Sequence, residues 1–355
     1  MKRKIKKNPS FNWRGYLTAL LTIFAFAAAL SLYMGWRMFL RPNVETDGEE
    51  FVHFEIPSGS SFEDLMELLE EEEVLRDVKS FRWAAERKNL PAHIHPGRYR
   101  LEKGMGNNAI VNMLRSASRE TVRVVFNQTR TLEQLASVIS GQIEADSASL
   151  AEKFNDKELI SELGHTPETF PAIFVPNTYE FYWNTTAEQF IRRMNREFDG
   201  FWNEQREKLR EETGLSRVEV VTLASIVAEE TFRVDEMPAI AGVYINRLDR
   251  GMRLQADPTI KYIIEDFSIG RVLTVHLKKD SPYNTYMYGG LPPGPIIIPS
   301  LKAIEAVLEY EEHDYLYFSA REDFSGYHRF ARTLAEHNRN ARLYREALDE
   351  RGIFR

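Results

Sequence analysis

The 355-residue chain contains no cysteine. That absence excludes a disulfide framework, a thiolate zinc site and a thiol nucleophile. No glycine-rich phosphate loop and no GxSxG elbow occur, and the histidines avoid HExxH spacing, so no metal or cofactor site is expected. Tandem repeats and low-complexity tracts are missing as well. The first 14 residues lack any acid but carry Lys2, Arg3, Lys4, Lys6, Lys7 and Arg14, a charge of +6. The net charge is −7, so the rest of the chain carries −13 (−7 less +6). An acidic body argues against nucleic acid as a substrate.

What is present is a foldable composition, 43% hydrophobic and 12% aromatic. It can bury a core, and the length suggests two or three domains. From Gly15 to Trp36, "GYLTALLTIFAFAAALSLYMGW", 22 residues carry no charge. About 20 apolar residues at 1.5 Å rise span a bilayer. Tyr16, Tyr33 and Trp36 lie near the ends, where amphipathic rings favour the interface. The preceding basic cluster predicts a single-pass anchor with the amino terminus in the cytoplasm and the bulk exported. A cleaved signal peptide is the rival, with "AFAAA" offering small residues. The apolar run outlasts the usual ~7–15 residue core of such peptides. The missing cysteines fit an exported bacterial protein.

The remainder reads as an α+β chain. Residues 37–50 form a polar linker. In 51–120, "FVHFEI" and "GRYRLEKG" read as strands. Between them, Ser61 and Asp64 open the helix "FEDLMELLEEEEVL", and "SFRWAAERKNL" forms a second. "NAIVNMLRS" is a short helix and "TVRVVF" a further strand. Residues 121–215 are helix-rich, with a capping-box pattern at Thr131 and Gln134. One long charged helix, solvated on its charged face, is expected from Ala187 to Glu212. Residues 216–345 form a mixed helix and strand domain.

The stretch "LASIVAEETF", Leu223–Phe232, concentrates the chemistry. Ser216 and Glu219 predict a capping box at its helix start. Val220, Leu223, Ala224 and Val227 then make one apolar stripe. Glu230 continues that stripe, whereas Glu229 follows Thr222 and Ser225 on a more polar side. Glu230 should therefore sit at the edge of apolar packing, where desolvation raises a carboxyl pKa. Such a carboxyl can donate a proton near neutrality. The plain alternative is a partly buried glutamate paired with Arg247 or Arg253.

Asp235 is placed to cap the next helix, with Pro238 near its start and Gly251 at its end. Ile240, Val243, Tyr244 and Leu248 give that helix its packing face. In "GMRLQADPT", Arg253, Gln255 and Asp257 fall at spacing two. An extended backbone would turn them to one face as a polar row for sugar hydroxyls and amides. A loop whose charges pair locally is the alternative. Tyr283, Asn284, Thr285 and Tyr286 sit in a rigid loop rich in Gly and Pro. His328 and His337 read as structural.

"ASIVAEET", "INRLDRGMRLQADPTIKY", "YNTYMYGGLPPGPI" and "HRFARTLAEHN", in this order, resemble the endolytic murein transglycosylase family, also called YceG-like. The resemblance covers essentially the whole exported part. It implies an enzyme of the bacterial cytoplasmic membrane that cuts within nascent peptidoglycan strands and leaves 1,6-anhydro-N-acetylmuramic acid ends. It also implies a LysM-like glycan-binding subdomain near 51–120 and a peptidoglycan synthase as partner. The family motif puts its catalytic acid on Glu230 and leaves the role of Glu229 open. A proton donor of this kind can act alone, because the nucleophile is the substrate's own C6 hydroxyl. Arg253, Gln255, Asn284, Thr285 and Tyr286 are expected to position substrate. Asp257 is expected at the same site, as a binding group or as a stabiliser of developing positive charge. Two other functions remain open on sequence: a non-catalytic peptidoglycan-binding scaffold, and a hydrolase that uses water.

Overall fold

The uncharged run folds as one helix. In the computed structural model, which describes residues 13–267, 269 and 272–352, α1 spans Trp13–Gly35 and continues through a π-helical turn, Trp36–Leu40. Leu20, Ile23, Phe24, Phe26 and Leu32 are all exposed along it. Trp13–Leu40 is long and apolar enough to cross a bilayer by length and composition. Of the basic cluster, Arg14 is described. Lys2, Arg3, Lys4, Lys6 and Lys7 lie outside the described residues.

The chain divides into two compact units. The first runs to Thr121 and takes in Tyr182–Asn184; the second holds Val122–Phe181 and the chain from Thr185 onward. The expected boundary at 215/216 thus falls inside the second unit.

In the first unit, period-two alternation makes β1, Phe51–Ile56, which buries Phe54 and Ile56. Ser61 caps α2, Phe62–Glu71, through the full capping box with Asp64. Asp77 caps α3, Val78–Arg87, two residues earlier than the sequence suggests. Then β2, Gly97–Glu102, pairs antiparallel with β1, with Phe54 opposite Tyr99. The unit's last helix is α4, Asn107–Arg115. Leu65, Leu69, Phe81, Leu101 and Ile110 join these strands in one core. Residues 37–50 are not a free linker. Val44 is buried in this core, and Asn43 bonds Asn107 at 2.7 Å, because its amide satisfies polar atoms that packing would otherwise strand.

The second unit starts with β3, Thr121–Val125, and α5, Leu132–Ser140. Thr131 caps α5, but Gln134 accepts from Arg130 N rather than closing the box on Thr131. α6, Ser147–Phe154, and α7, Lys157–Glu162, lead to β4, Thr178–Tyr182, the partner of β3. The expected long charged helix is two helices: α8, Ala187–Phe201, and α9, Glu204–Thr213. Trp202 is buried at the break, and Asn203 starts α9 by accepting from Arg206 N at 3.0 Å. Gly214, at φ +71, ends it.

α10, Arg217–Glu230, is the spine of this unit and packs against α11, Met237–Asp249, α12, Asp257–Ile264, and α13, Leu301–Leu308. The hairpin of β5, Tyr317–Ala320, and β6, His328–Ala331, precedes the terminal helix α14, Leu334–Glu350.

Candidate active site

α10 begins at the Ser216–Glu219 capping box, with both reciprocal bonds formed. Every residue from Val220 to Ala228 is buried. The single stripe read from the sequence is therefore too narrow, since the Thr222 and Ser225 side is buried too. Their hydroxyls make this tolerable by donating to Val218 O and Thr222 O. Ser225 Oγ also accepts from Ile296 N at 3.0 Å, which ties the 295–298 segment to the helix. Each Val, Leu or Ile buried here contributes roughly 1.5–3 kcal/mol, so the helix is rigidly held.

Glu230 is the last residue of α10, because Thr231 turns extended (φ −147, ψ 143). Its carboxyl Oε1 accepts a 2.5 Å hydrogen bond from the Tyr244 hydroxyl on α11. Burial pushes the carboxyl up to about 7 from 4.5; the Tyr244 bond pulls the other way, and the charge of Asp257 adds to the rise. His328 and Arg247 lower it by smaller amounts. The helix C-terminus also disfavours negative charge. Tyr244 is itself buried, with its ring edge-on to Phe318 at 5.8 Å. Burial and the neighbouring Glu230 hold its hydroxyl well above the usual phenol range, so it stays a donor.

No arginine pairs with Glu230 among the described residues. Arg247 is buried and gives its Nε to Leu316 O at 2.6 Å and its Nη1 to the Leu254 carbonyl. Arg253 Nη1 donates to Tyr286 O at 2.9 Å. Glu229 lies on a polar rim instead, with Arg130 Nη2 and Gln128 Nε2 each 3.5 Å from its carboxyl oxygens.

The 252–257 segment is not a strand. Gln255 is left-handed at φ +51 and Asp257 already belongs to α12. Exposure alternates nonetheless: Arg253, Gln255 and Asp257 are exposed, and Leu254, Ala256 and Pro258 are buried. The loop at 283–287 grips this segment. Tyr286 Oη donates to Asp257 Oδ1 at 2.5 Å, and Gln255 N donates to Thr285 O at 3.1 Å. Thr285 Oγ1 accepts from Ala256 N at 3.0 Å. Asn284 is fully buried; its amide donates to Leu277 O and Lys279 O, and its carbonyl accepts from Tyr286 N and Met287 N.

Two features were invisible in the sequence. Tyr244 read only as a packing residue, since helical spacing says nothing of where a hydroxyl ends. Asp235 does not cap α11; it accepts from Tyr327 Oη at 2.8 Å, while a 3₁₀ turn, Val234–Glu236, leads into the helix. The neighbouring Glu236 is buried and accepts from His328 Nδ1 and N, both at 2.7 Å. His328 is thereby fixed near enough to Glu230 to act on its carboxyl.

A model of the YceG-like family matches residues 54–343. The chain belongs to the YceG-like family. It is 30% identical over 324 residues to a protein named endolytic murein transglycosylase from Bacillus subtilis (strain 168), covering 87% of this chain and 89% of that one. A protein of the same name from Streptococcus pneumoniae serotype 2 (strain D39) is 26% identical, and the match covers 90% of this chain but 64% of its own length. A crystal structure of a yceG-like protein from Listeria monocytogenes superposes with a TM-score of 0.52 at 30% identity, over 82% of this chain and 99% of that one.

Proposed function

We propose that this YceG-like protein is a membrane-anchored lytic transglycosylase that cuts within peptidoglycan strands, with Glu230 as its single acid and base. One observation carries the reading. Glu230 is a desolvated carboxyl at the end of a buried helix, with a pKa pushed up to about 7 and a neutral phenol as its hydrogen-bond partner. A group at that pKa is populated in both protonation states near neutrality, as a group that gives and then recovers a proton requires.

In this mechanism protonated Glu230 gives its proton to the oxygen between N-acetylmuramic acid and N-acetylglucosamine. The bond to the muramyl C1 breaks with its electron pair on the departing oxygen. The carboxylate left behind is held by Tyr244 and takes the proton from the muramyl C6 hydroxyl. The C6 oxygen closes on C1 and forms the 1,6-anhydro ring. Protons and bonds balance without water. Asp257 supplies negative potential toward the oxocarbenium-like centre, and Tyr286 fixes its carboxylate. Arg253, Gln255 and Tyr286 bind the strand, while buried Asn284 and Thr285 shape the loop that presents them.

The test is mass spectrometry of products from uncrosslinked glycan. Glu230→Gln should lose anhydro-muropeptide release by more than ~10²–10⁴-fold, because one group performs both proton transfers. Glu229→Gln should keep most of it. Reducing ends in place of anhydro ends would mean hydrolysis. Full activity of a folded Glu230→Gln protein would leave a binding scaffold as the better reading.

α1 serves as the anchor, with the bulk outside the cytoplasm. A reporter fused after Arg355 that works only in the cytoplasm would reverse this topology. The 51–120 module binds glycan in the manner of LysM-like domains and does no chemistry. Cleavage by that module alone would contradict the assignment. A peptidoglycan synthase is the expected partner at the membrane, and a pull-down from cross-linked membranes that recovers none would remove that expectation.

A further inference from the structure

A cavity of about 890 Å³ lies in the second unit, outside the Glu230–Tyr244 and Asp257–Tyr286 pairs. We propose that it is a subsite for the charged stem peptide borne by the muramic acid of the strand being cut. This rests on the peptidoglycan reading above and adds a specificity determinant to it.

Three observations lead there. The first is position. The cavity is walled by the start of α5, the end of α12 and residues 295–298. That last segment is tied to α10 by the Ile296–Ser225 bond, and Arg130 on the rim reaches Glu229. Ser225 and Glu230 are five residues apart, roughly 7.5 Å along the helix and about 140° around it, so the cavity lies on the Glu229 side of α10. A stem peptide of several residues, at about 3.3 Å each, is long enough to pass from a sugar bound at Glu230 round the end of the helix to the cavity.

The second is charge. Arg130 is not saturated by close bonds: it stands 3.5 Å from Glu229 and stacks over Phe267 at 4.8 Å. Lys279 is exposed on the same lining, with one of its three ammonium donors on Ile263 O. In the first turn of α5 the Gln134 amide is taken by Thr131 Oγ1, while the Leu132 and Glu133 amides precede the first intrahelical bond and add partial positive charge beside Arg130. Neutral sugar rings have no charge for these groups, whereas stem peptides carry carboxylates. The lining also contains Glu133, Glu265 and Asp280. Asp280 is engaged by the Tyr288 hydroxyl at 2.6 Å. Glu133 and Glu265 face the cavity with opposite charge, which suits the free amine of a diamino acid in the same peptide.

The third is shape. The volume falls within the roughly 300–1,000 Å³ of ligand pockets, and the lining is mixed: Pro167, Pro171 and Phe267 stand with the largely buried Ile296, Ile297 and Ile298, beside the charged groups above. An extended peptide with small apolar side chains fits such a wall.

The experiment compares wild type, Arg130→Gln and Lys279→Gln on two substrates: uncrosslinked strands with their peptides, and the same strands stripped by an amidase. On peptide-bearing strands each variant should raise KM by about tenfold or more with kcat little changed. On stripped strands all three proteins should coincide. Equal KM changes on both substrates, or none on either, would overturn the subsite. Titration of a soluble muramyl pentapeptide into Glu230→Gln protein, with and without Arg130→Gln, measures the site without catalysis. Binding weakened about tenfold by Arg130→Gln supports it even if no strand is cleaved. Absence of binding overturns it even if cleavage is robust.

Discussion

Removing one hydroxyl should slow the enzyme and move its pH profile in a known direction. Tyr244→Phe keeps the ring that packs edge-on to Phe318 and deletes the 2.5 Å bond to Glu230. That bond favours the carboxylate, so losing it raises the carboxyl pKa further above its value of about 7. A hydrogen bond to a charged group contributes about 1.5–3 kcal/mol net. At 1.36 kcal/mol per pKa unit this is a rise of roughly 1–2 units, less whatever an incoming water restores. If Glu230 acts first as an acid, kcat/KM falls on the alkaline side of its pKa. The wild-type fall should begin near pH 7, and that of Tyr244→Phe about one unit higher. The plateau should drop as well. Negative charge grows on the carboxyl as the proton leaves, and the variant has lost the group that stabilises it. If about half of the bond is lost in the transition state, the rate falls about 3–10-fold. The assay is anhydro-muropeptide release against pH at subsaturating glycan, with circular dichroism to confirm the fold. A limb that stays put or moves to lower pH would refute the reasoning, because both outcomes mean that the phenol does not hold the carboxylate.

The same carboxyl has a signature in stability. Its folded pKa of about 7 lies above the unfolded value of 4.5, so its favourable share is complete below about pH 4.5 and lost as pH rises through 7. Glu230→Gln should melt near wild type at pH 4.5–5 and several degrees higher at pH 8, with about 3 kcal/mol as the ceiling; a constant gap across that range would mean the group does not titrate in the fold. A second change probes the loop that walls the cavity. A Cβ on Gly294 would lie 1.8 Å from Glu168 O, which is backbone and cannot rotate away, so Gly294→Ala should cost about 1–3 kcal/mol or more. Gly289→Ala, with open space around it, should melt like wild type, and equal melting of both variants would contradict the packing.

Local grammar was legible in the chain. Capping pairs located the starts of α2 and α10, and alternation located β1 and β3, because these signals act within a few residues. What failed depended on distant partners. Trp202 finds a buried place and splits a helix that its charges would have carried on. Gln255 adopts φ +51 because Thr285, thirty residues away, holds its amide. The polar side of α10 is buried because Thr222 and Ser225 return their hydroxyls to the helix's own carbonyls, which periodicity cannot report. For the candidate site, Glu230 could be singled out, while the Tyr244 hydroxyl and the Glu236–His328 pair could not.

This last gap changes why Glu230 and Glu229 differ. Both lie at the end of a helix buried on every side, so face alone does not separate them. Their partners do. Glu229 has a guanidinium 3.5 Å away. Glu230 has a phenol, which stabilises the carboxylate once it forms but does not force it to form. Buried Arg247, which lowers Glu230 only slightly, has its guanidinium committed to the Leu316 and Leu254 carbonyls. Arg247 thus leaves Glu230 without a contact ion pair, which is what the proposed role of one carboxyl as both acid and base asks of its surroundings.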